Sequence, residues 1–449
     1  MTSLRSFFVV TALASACTAA LAAPSLPSPD GGYPVGVVRT EFADPTRLLD
    51  AADPDSGPRR LPAVVWYPAV ESALVDGAAY LAPEAVTATV PAISRLFRYP
   101  LPEVETLVDV RIAAGLHARP ATQTGGFPVV VYSHGLFLYP EQNTALAMLL
   151  ASHGYIVVSI AHPGDSADLR LRDGRLVATA PFGPGAADAR FTAAWEVLMG
   201  ADGLAARREA LETYASAQSS THIGLAAVRW REDTEAVAAA IVDGATPADL
   251  HDILAAADRN RLAFAGMSFG GAASAAGCRR VAACRAAVNL DGQNLEADVY
   301  DSPIGRPLLL VLSDWSRYGL FEGQPRETDY SPNDLAYERW REAGTTADVV
   351  RLRLRGIRHM GLTDFHALLP ASMRDERFGD IAPEAAASAI GDVVLAFLDA
   401  YVQGADVTGL DHAIDRHPAL VRHVPTRLQR WAEVEATREQ PGTAPSSAR

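Results

Sequence analysis

The chain has 449 residues, 49% of them apolar, enough to bury a large core and to exclude a disordered or fibrous protein. Its 53 acidic residues outweigh 39 basic ones, all arginine, for a formal net charge of −14; a surface this acidic repels a phosphate backbone and argues against nucleic-acid binding. Three cysteines are too few for a disulfide scaffold or a cysteine-based zinc module.

Residues 1–23 carry Arg5, an apolar run from Phe7 to Ala22 and the small-x-small sequence Ala20-Leu21-Ala22, followed by a Pro/Ser-rich stretch from Pro24 to Pro34. This predicts a secretory signal peptide, because the run is short for a bilayer span. A lipid-modified Cys17 is the alternative, weakened by Ala14 three residues ahead of it. No later segment reads as a membrane span, so the mature chain is expected to be soluble and secreted or periplasmic. There Cys278 and Cys284 either close a small loop or stay a buried thiol pair; their spacing does not decide.

Short apolar runs then alternate with helical stretches. Strands are predicted at Val35 to Thr40, Ala63 to Tyr67, Leu107 to Ile112, Phe127 to Tyr132 and Tyr155 to Ile160, the fourth continuously apolar as in a strand buried on both faces. Glu141 to His153 reads as a helix closed by Gly154. Leu225 to Asp243 reads as another, with Leu225, Val228, Val237 and Ile241 on one buried stripe. Further strands fall at Arg261 to Ala265, Arg285 to Leu290, Pro307 to Leu312 and Val349 to Leu354. Pro383 to Gln403 is the closing helix, with Gly404 after its end. The alternation predicts an α/β protein with a mostly parallel sheet covered by helices on both faces. An insertion at 165–223, with helices predicted at Phe191 to Gly200 and Leu204 to Tyr214, either caps a pocket over the sheet's C-terminal edge or makes a solvated excursion. The chain after Glu433 is expected to be disordered.

Gly266-Met267-Ser268-Phe269-Gly270 matches G-x-S-x-G. An apolar strand feeds into it and Gly271-Ala272-Ala273 leaves it as a helix start, the strand–turn–helix setting of a nucleophile elbow. A serine hydroxyl attacks only when a base takes its proton. His359, after the last strand, is placed for that role, whereas His366 falls in a following helix. Asp291 and Asp314 each end a strand between Ser268 and His359, so either can orient the imidazole. Two backbone N–H groups must face the developing oxyanion; Phe269 follows the nucleophile, and Leu136 lies in the Ser133-His134-Gly135-Leu136 loop after an early strand. His134 reads as structural, and His162-Pro163-Gly164-Asp165-Ser166 as a loop shaping the pocket rim. No ligand set has metal spacing and no phosphate or dinucleotide motif occurs, so neither metal nor cofactor is expected.

Together these residues resemble the secreted platelet-activating factor acetylhydrolase family of α/β-hydrolases, from about Pro34 to Gln403. The markers are Trp66-Tyr67-Pro68, Ser133-His134-Gly135-Leu136, Ala151-Ser152-His153-Gly154, Gly266-Met267-Ser268-Phe269-Gly270-Gly271, Leu290-Asp291 and His359 followed by Asp364-Phe365. The resemblance implies Ser268 as nucleophile, His359 as base, and Leu136 and Phe269 as oxyanion donors. It selects Asp291 as the acid, because the family places its Asp shortly after the nucleophile helix. Met267 departs from the His common at that elbow position, and 165–223 does not track the family. Some bacterial relatives resemble general or polyester hydrolases, others dienelactone hydrolases, which use Cys where this chain has Ser268. The expected organisation is a signal peptide at 1–23, an α/β-hydrolase domain at 34–404 and an extension at 405–449. The expected activity is hydrolysis of short or oxidised acyl esters, among them glycerophospholipid esters. Broad esterase or polyester hydrolase activity is the alternative, and a non-catalytic binding protein of the same fold the third reading. The expected partner is a small-molecule or lipid ester, with no nucleic acid and no stable membrane span.

Overall fold

The computed structural model describes residues 24–70, 77–180, 189–201, 203–319, 330–345 and 347–439. The predicted signal peptide with Cys17, and the end of the predicted disordered tail, lie outside these residues.

Apolar, β-branched runs build the centre of one sheet. Its strands are β1 (Val35–Leu48), β2 (Pro58–Pro68), β3 (Gly115–Leu116), β4 (Phe127–Ser133), β5 (Ile156–Ile160), β6 (Ala257–Met267), β7 (Cys284–Leu290), β8 (Leu308–Leu312), β9 (Val349–Leu354) and β10 (Leu420–Arg422). They pair in the order β10-β9-β8-β7-β6-β4-β5-β2-β1-β3. From β5 to β9 the pairing is parallel, while β2 on β5, β1 on β2 and β10 on β9 are antiparallel. Every residue of β4, β5 and β8 is buried, because helices cover both faces.

Helices α1 (Thr144–Ser152) and α6 (Pro383–Leu398) close one face through Leu146, Leu150, Val393 and Phe397. Helices α4 (His222–Asp243) and α5 (Phe269–Cys278) close the other through Val237, Ile241, Ala275 and Ala276. Each fully buried Leu, Ile or Phe contributes about 1.5–3 kcal/mol over an exposed one. The chain runs from β4 to β5 on one side and later returns to lay β6 against β4's other edge. Such a reversal of strand order opens a crevice at the carboxyl ends of the strands. Register then brings those ends level, with Gly266 beside Ser133 and Met267 beside Leu290.

Four expectations need correction. The strand predicted at Leu107 to Ile112 is a 3-10 turn, Thr106–Asp109, followed by the short strand Arg111–Ile112; Leu107, Val110 and Ile112 are all buried, so the apolar run reaches the core without being one strand. On α4, Val237 and Ile241 are buried, but Leu225 is 55% exposed and Val228 only half-buried. The buried stripe includes Trp230, Asp233 and Thr234, so a pattern that assumes polar residues face water picks the wrong face. Pro383–Gln403 is, by length and composition alone, apolar enough to cross a bilayer, with mean hydropathy 1.6. Its apolar side, from Ala386 to Leu398, lies against the sheet. Finally, the chain beyond Gly404 is integrated rather than appended: β10 extends the sheet and Thr426–Glu439 is helical.

Cys278 and Cys284 are joined in a disulfide, Cα atoms 5.3 Å apart. The bond closes the connection between α5 and β7.

Candidate active site

Ser268 sits between β6 and α5 with φ 54° and ψ −119°, a left-handed conformation that is strained for a residue with a Cβ. The turn is possible because its neighbours are glycines. A Cβ on Gly270 would collide with the carbonyls of Ser133 and His134, and one on Gly266 with the backbone of Gly270. The backbone amide of Ser268 donates to the Leu290 carbonyl at 2.7 Å, tying the elbow to the end of β7.

His359 leaves the loop after β9, its Nε2 2.9 Å from Ser268 Oγ and its Nδ1 2.7 Å from Asp291 Oδ2. Asp291 follows the last residue of β7 at φ 58°, a conformation Asp tolerates better than most residues. Its Oδ1 accepts from Ser313 N–H at 3.0 Å and Trp315 Nε1–H at 3.2 Å, which fixes the carboxylate plane. The structure thus brings Ser268, Asp291 and His359 together. Asp314 is elsewhere: its Oδ2 accepts from Gly356 N–H at 2.8 Å, its Oδ1 from the Ser316 hydroxyl at 2.9 Å, and its own N–H donates to the Ile357 carbonyl at 2.9 Å. It clamps the segment leading to His359. Asp364 clamps the far side of that loop by accepting from Thr144 N–H at 2.7 Å, and Asn143 Nδ2 donates to the Leu362 carbonyl at 2.8 Å.

The loop after β4 packs beside the elbow; a Cβ on Gly135 would lie 2.9 Å from Met267 Sδ and 3.5 Å from Ser268 Cβ. Its successive amides are nearly all engaged. Gly135 N–H donates to Gln142 Oε1 at 2.8 Å, Phe137 N–H to the Asp165 carbonyl at 2.9 Å, and Leu138 N–H to the Gly135 carbonyl at 3.0 Å. Leu136 N–H has no acceptor among the described residues. Phe269 N–H, in the first turn of α5, has no partner within its helix. Leu136 thus follows the glycine that packs against Ser268, and Phe269 follows Ser268 itself.

A cavity of about 650 Å³ opens over Ser268 and His359. Phe191 and Trp195 from helix α2 (Ala189–Gly200), Tyr214 and Gln218 from α3 (Leu204–Ser219), and Trp315 form much of its wall. The insertion therefore caps the pocket. The loop from His162 to Ser166, expected at the rim, does not line the cavity. His162, Asp165 and Ser166 are buried behind the Gly135 loop, because both ring nitrogens of His162 have internal partners, Asp233 Oδ2 at 3.0 Å and Ser133 Oγ at 3.2 Å. Sequence reasoning missed Gln142 and Asp233, whose partners lie on other elements.

Burial pushes the His134 imidazole well below the ordinary histidine range, and His162 beside it adds to the shift. Burial also lowers His162, against the pull of Asp233, and lowers His366 to about 4. The unfolded chain takes up protons at these sites near the ordinary value of about 6.5, while the folded chain refuses them. Their contribution to stability is present above that value and is lost as pH falls below it. The melting temperature is expected to fall by several degrees between about pH 7 and pH 5, largely above the carboxylate range. A melting temperature that is flat or rising over that window contradicts the burial of neutral imidazoles.

Residues 83–175 match the family model for platelet-activating factor acetylhydrolase, isoform II. The match spans the Gly135 loop and stops short of Ser268. A ferulic acid esterase from Streptomyces cinnamoneus has a similar structure, with a TM-score of 0.63 and 22% identity over 90% of this chain and 100% of the other. A search of curated protein sequences finds no match. The chain has an α/β-hydrolase fold, and the resemblance to platelet-activating factor acetylhydrolases stands.

Proposed function

We propose that this α/β-hydrolase, similar to platelet-activating factor acetylhydrolases, is an exported serine hydrolase of carboxylic esters that works through an acyl-enzyme. The observation that carries the reading is the run Asp291–His359–Ser268, at 2.7 and 2.9 Å, lining one cavity together with Phe269. Ser268 Oγ attacks the ester carbonyl carbon while His359 Nε2 takes its proton. Asp291 keeps the His359 proton on Nδ1 and stabilises the imidazolium. The carbonyl oxygen takes up the negative charge and is held by Leu136 and Phe269 N–H. Collapse of the tetrahedral species breaks the ester C–O bond, and the leaving alkoxide receives the proton from His359. Water then attacks the acyl-Ser268 ester by the same route and releases the acid. The Cys278–Cys284 disulfide supports export, since such bonds persist in oxidising compartments.

The family resemblance supports short or oxidised acyl esters, including those of glycerophospholipids. A second reading is favoured by the rings of Phe191, Trp195, Tyr214 and Trp315 around the cavity: an ester with a planar aromatic acyl group, which stacks on such walls. One structurally similar protein is a ferulic acid esterase. A fluorophosphonate probe is expected to label Ser268 covalently, and a protein that does not react is a binding module instead. A series of p-nitrophenyl esters, with acyl groups from acetyl to long alkyl and cinnamoyl, then separates the two substrate readings. Highest kcat/KM at acetyl supports the first, highest at cinnamoyl the second, and a maximum at long alkyl chains counts against both.

A further inference from the structure

Behind the Gly135 loop lies a second Ser–His–Asp chain, and it is closed to substrate. Ser133, His162 and Asp233 are each 0% exposed and none of them lines the cavity. Asp233 is the fixed end. Arg59 donates to it through Nε at 2.9 Å and Nη2 at 2.7 Å, and Arg47 is ion-paired with it at 2.7 Å. Burial alone would raise the Asp233 carboxyl, but Arg59 and His162 outweigh that and hold it far below the usual carboxylate range. A permanent carboxylate facing Nδ1 keeps the His162 proton there, so Nε2 accepts from the Ser133 hydroxyl.

Two lines run from His162 to the oxyanion donors. In the first, the His162 backbone N–H donates to Ser166 Oγ at 2.8 Å, and that hydroxyl lies 2.8 Å from His134 Nε2. His134 Nδ1 lies 2.7 Å from the Gly135 carbonyl. A carbonyl only accepts, so the His134 proton is on Nδ1 and its Nε2 is an acceptor for the one Ser166 hydroxyl proton, which the His162 carbonyl at 3.0 Å also faces. In a trans peptide the carbonyl and the following N–H point in opposite directions. Holding the Gly135 carbonyl therefore sets the direction of Leu136 N–H. In the second line, the His162 ring stacks on Trp230 at 3.8 Å and 12°, and Trp230 meets Phe269 edge-on at 4.8 Å and His134 at 4.9 Å. Trp230 Nε1 donates to Asp165 Oδ2 at 3.0 Å, while the Asp165 carbonyl accepts from Phe137 N–H.

We propose that Asp233 is a positioning residue for the oxyanion hole, which through His162, Ser166 and His134 fixes the peptide plane that aims Leu136 N–H at the reacting carbonyl. The proposal rests on Ser268 being the nucleophile and Leu136 an oxyanion donor. An oxyanion donor acts on the transition state more than on the bound ester, so a misaimed donor lowers kcat and leaves KM in place.

The test is Asp233→Asn in the full chain, with Ser166→Ala as a second variant that leaves the Arg59 ion pair intact. Removing an oxyanion donor outright costs roughly 100- to 1,000-fold in kcat. Misaiming one is expected to cost about 10- to 100-fold in Asp233→Asn and about 10-fold in Ser166→Ala, with KM for p-nitrophenyl acetate within about 2-fold. An aryl trifluoromethyl ketone forms a hemiketal with Ser268 and places its oxyanion in the same hole, so its inhibition constant is expected to rise in step with the loss of kcat. If Asp233→Asn does not fold, Ser166→Ala carries the test alone. Unchanged kcat, or a loss confined to KM, in a folded variant overturns the proposal while leaving the serine mechanism standing. A wild-type chain that neither hydrolyses p-nitrophenyl acetate nor reacts with a fluorophosphonate overturns the underlying mechanism instead.

Discussion

Ser268→Ala is expected to lower kcat for a p-nitrophenyl ester by roughly 10⁴- to 10⁶-fold, with KM nearly unchanged. On the proposed mechanism the substitution removes the one atom that forms the bond to the acyl carbon. It leaves the cavity walls, His359 and the Leu136 and Phe269 amides where they are, so the ester still binds and residual turnover reflects the hole alone. Folding should survive. The backbone strain at φ 54° is the same for Ala as for Ser, and the lost hydroxyl bond to the half-exposed His359 contributes about 1 kcal/mol at most. Intact-protein mass spectrometry after fluorophosphonate treatment is expected to show the adduct on the wild type and none on the variant. Undiminished turnover in a folded Ser268→Ala protein removes Ser268 from the chemistry.

The elbow is legible in the sequence because its requirements are local. The strand before Ser268, the glycines that let α5 approach β4 and the small residues that begin the helix all lie within a dozen positions. The parallel core strands are legible for a similar reason, since a strand buried on both faces reads as an unbroken apolar run. Sequence reading weakens where a contact joins distant positions. Asp233 lies mid-helix among Glu232, Thr234 and Glu235, and reads as part of a solvated face. Its partner Arg59 is 174 residues away on another element, so no window contains both halves of the pair. The same applies to Gln142, whose amide consumes Gly135 N–H and thereby leaves Leu136 as the unengaged donor. Strand β10, three residues long, is too short to carry a period and becomes a strand only by pairing with β9. Composition alone does not separate a buried cover helix from a bilayer span, as Pro383–Gln403 shows; its place as the closing helix of the alternation does.

The choice between the two acids illustrates what residue order leaves open. Asp291 and Asp314 leave the ends of adjacent parallel strands, so both meet the positional rule for a triad acid, and only the direction of each carboxylate separates them. Asp291→Asn is expected to lower kcat by roughly 10⁴-fold. In the native protein Oδ1 accepts from Ser313 N–H and Trp315 Nε1–H while Oδ2 faces His359 Nδ1. An asparagine has one acceptor oxygen, and two fixed donors hold it on the Oδ1 side. Its NH₂ then faces His359 Nδ1, which must become an acceptor, so the ring proton moves to Nε2. A protonated Nε2 cannot take the proton of Ser268, although every heavy atom stays in place. Asp314→Asn keeps one of its two accepted bonds, from Gly356 N–H or from the Ser316 hydroxyl, and weakens the other. The loop before His359 loosens, with an expected loss of about 10-fold in kcat and about 1 kcal/mol of stability. Measured at saturating ester on variants whose circular dichroism matches the wild type, the two losses should differ by orders of magnitude. A larger drop in Asp314→Asn than in Asp291→Asn would reverse the assignment, because a clamp on the loop cannot matter more to proton transfer than the group that sets the tautomer.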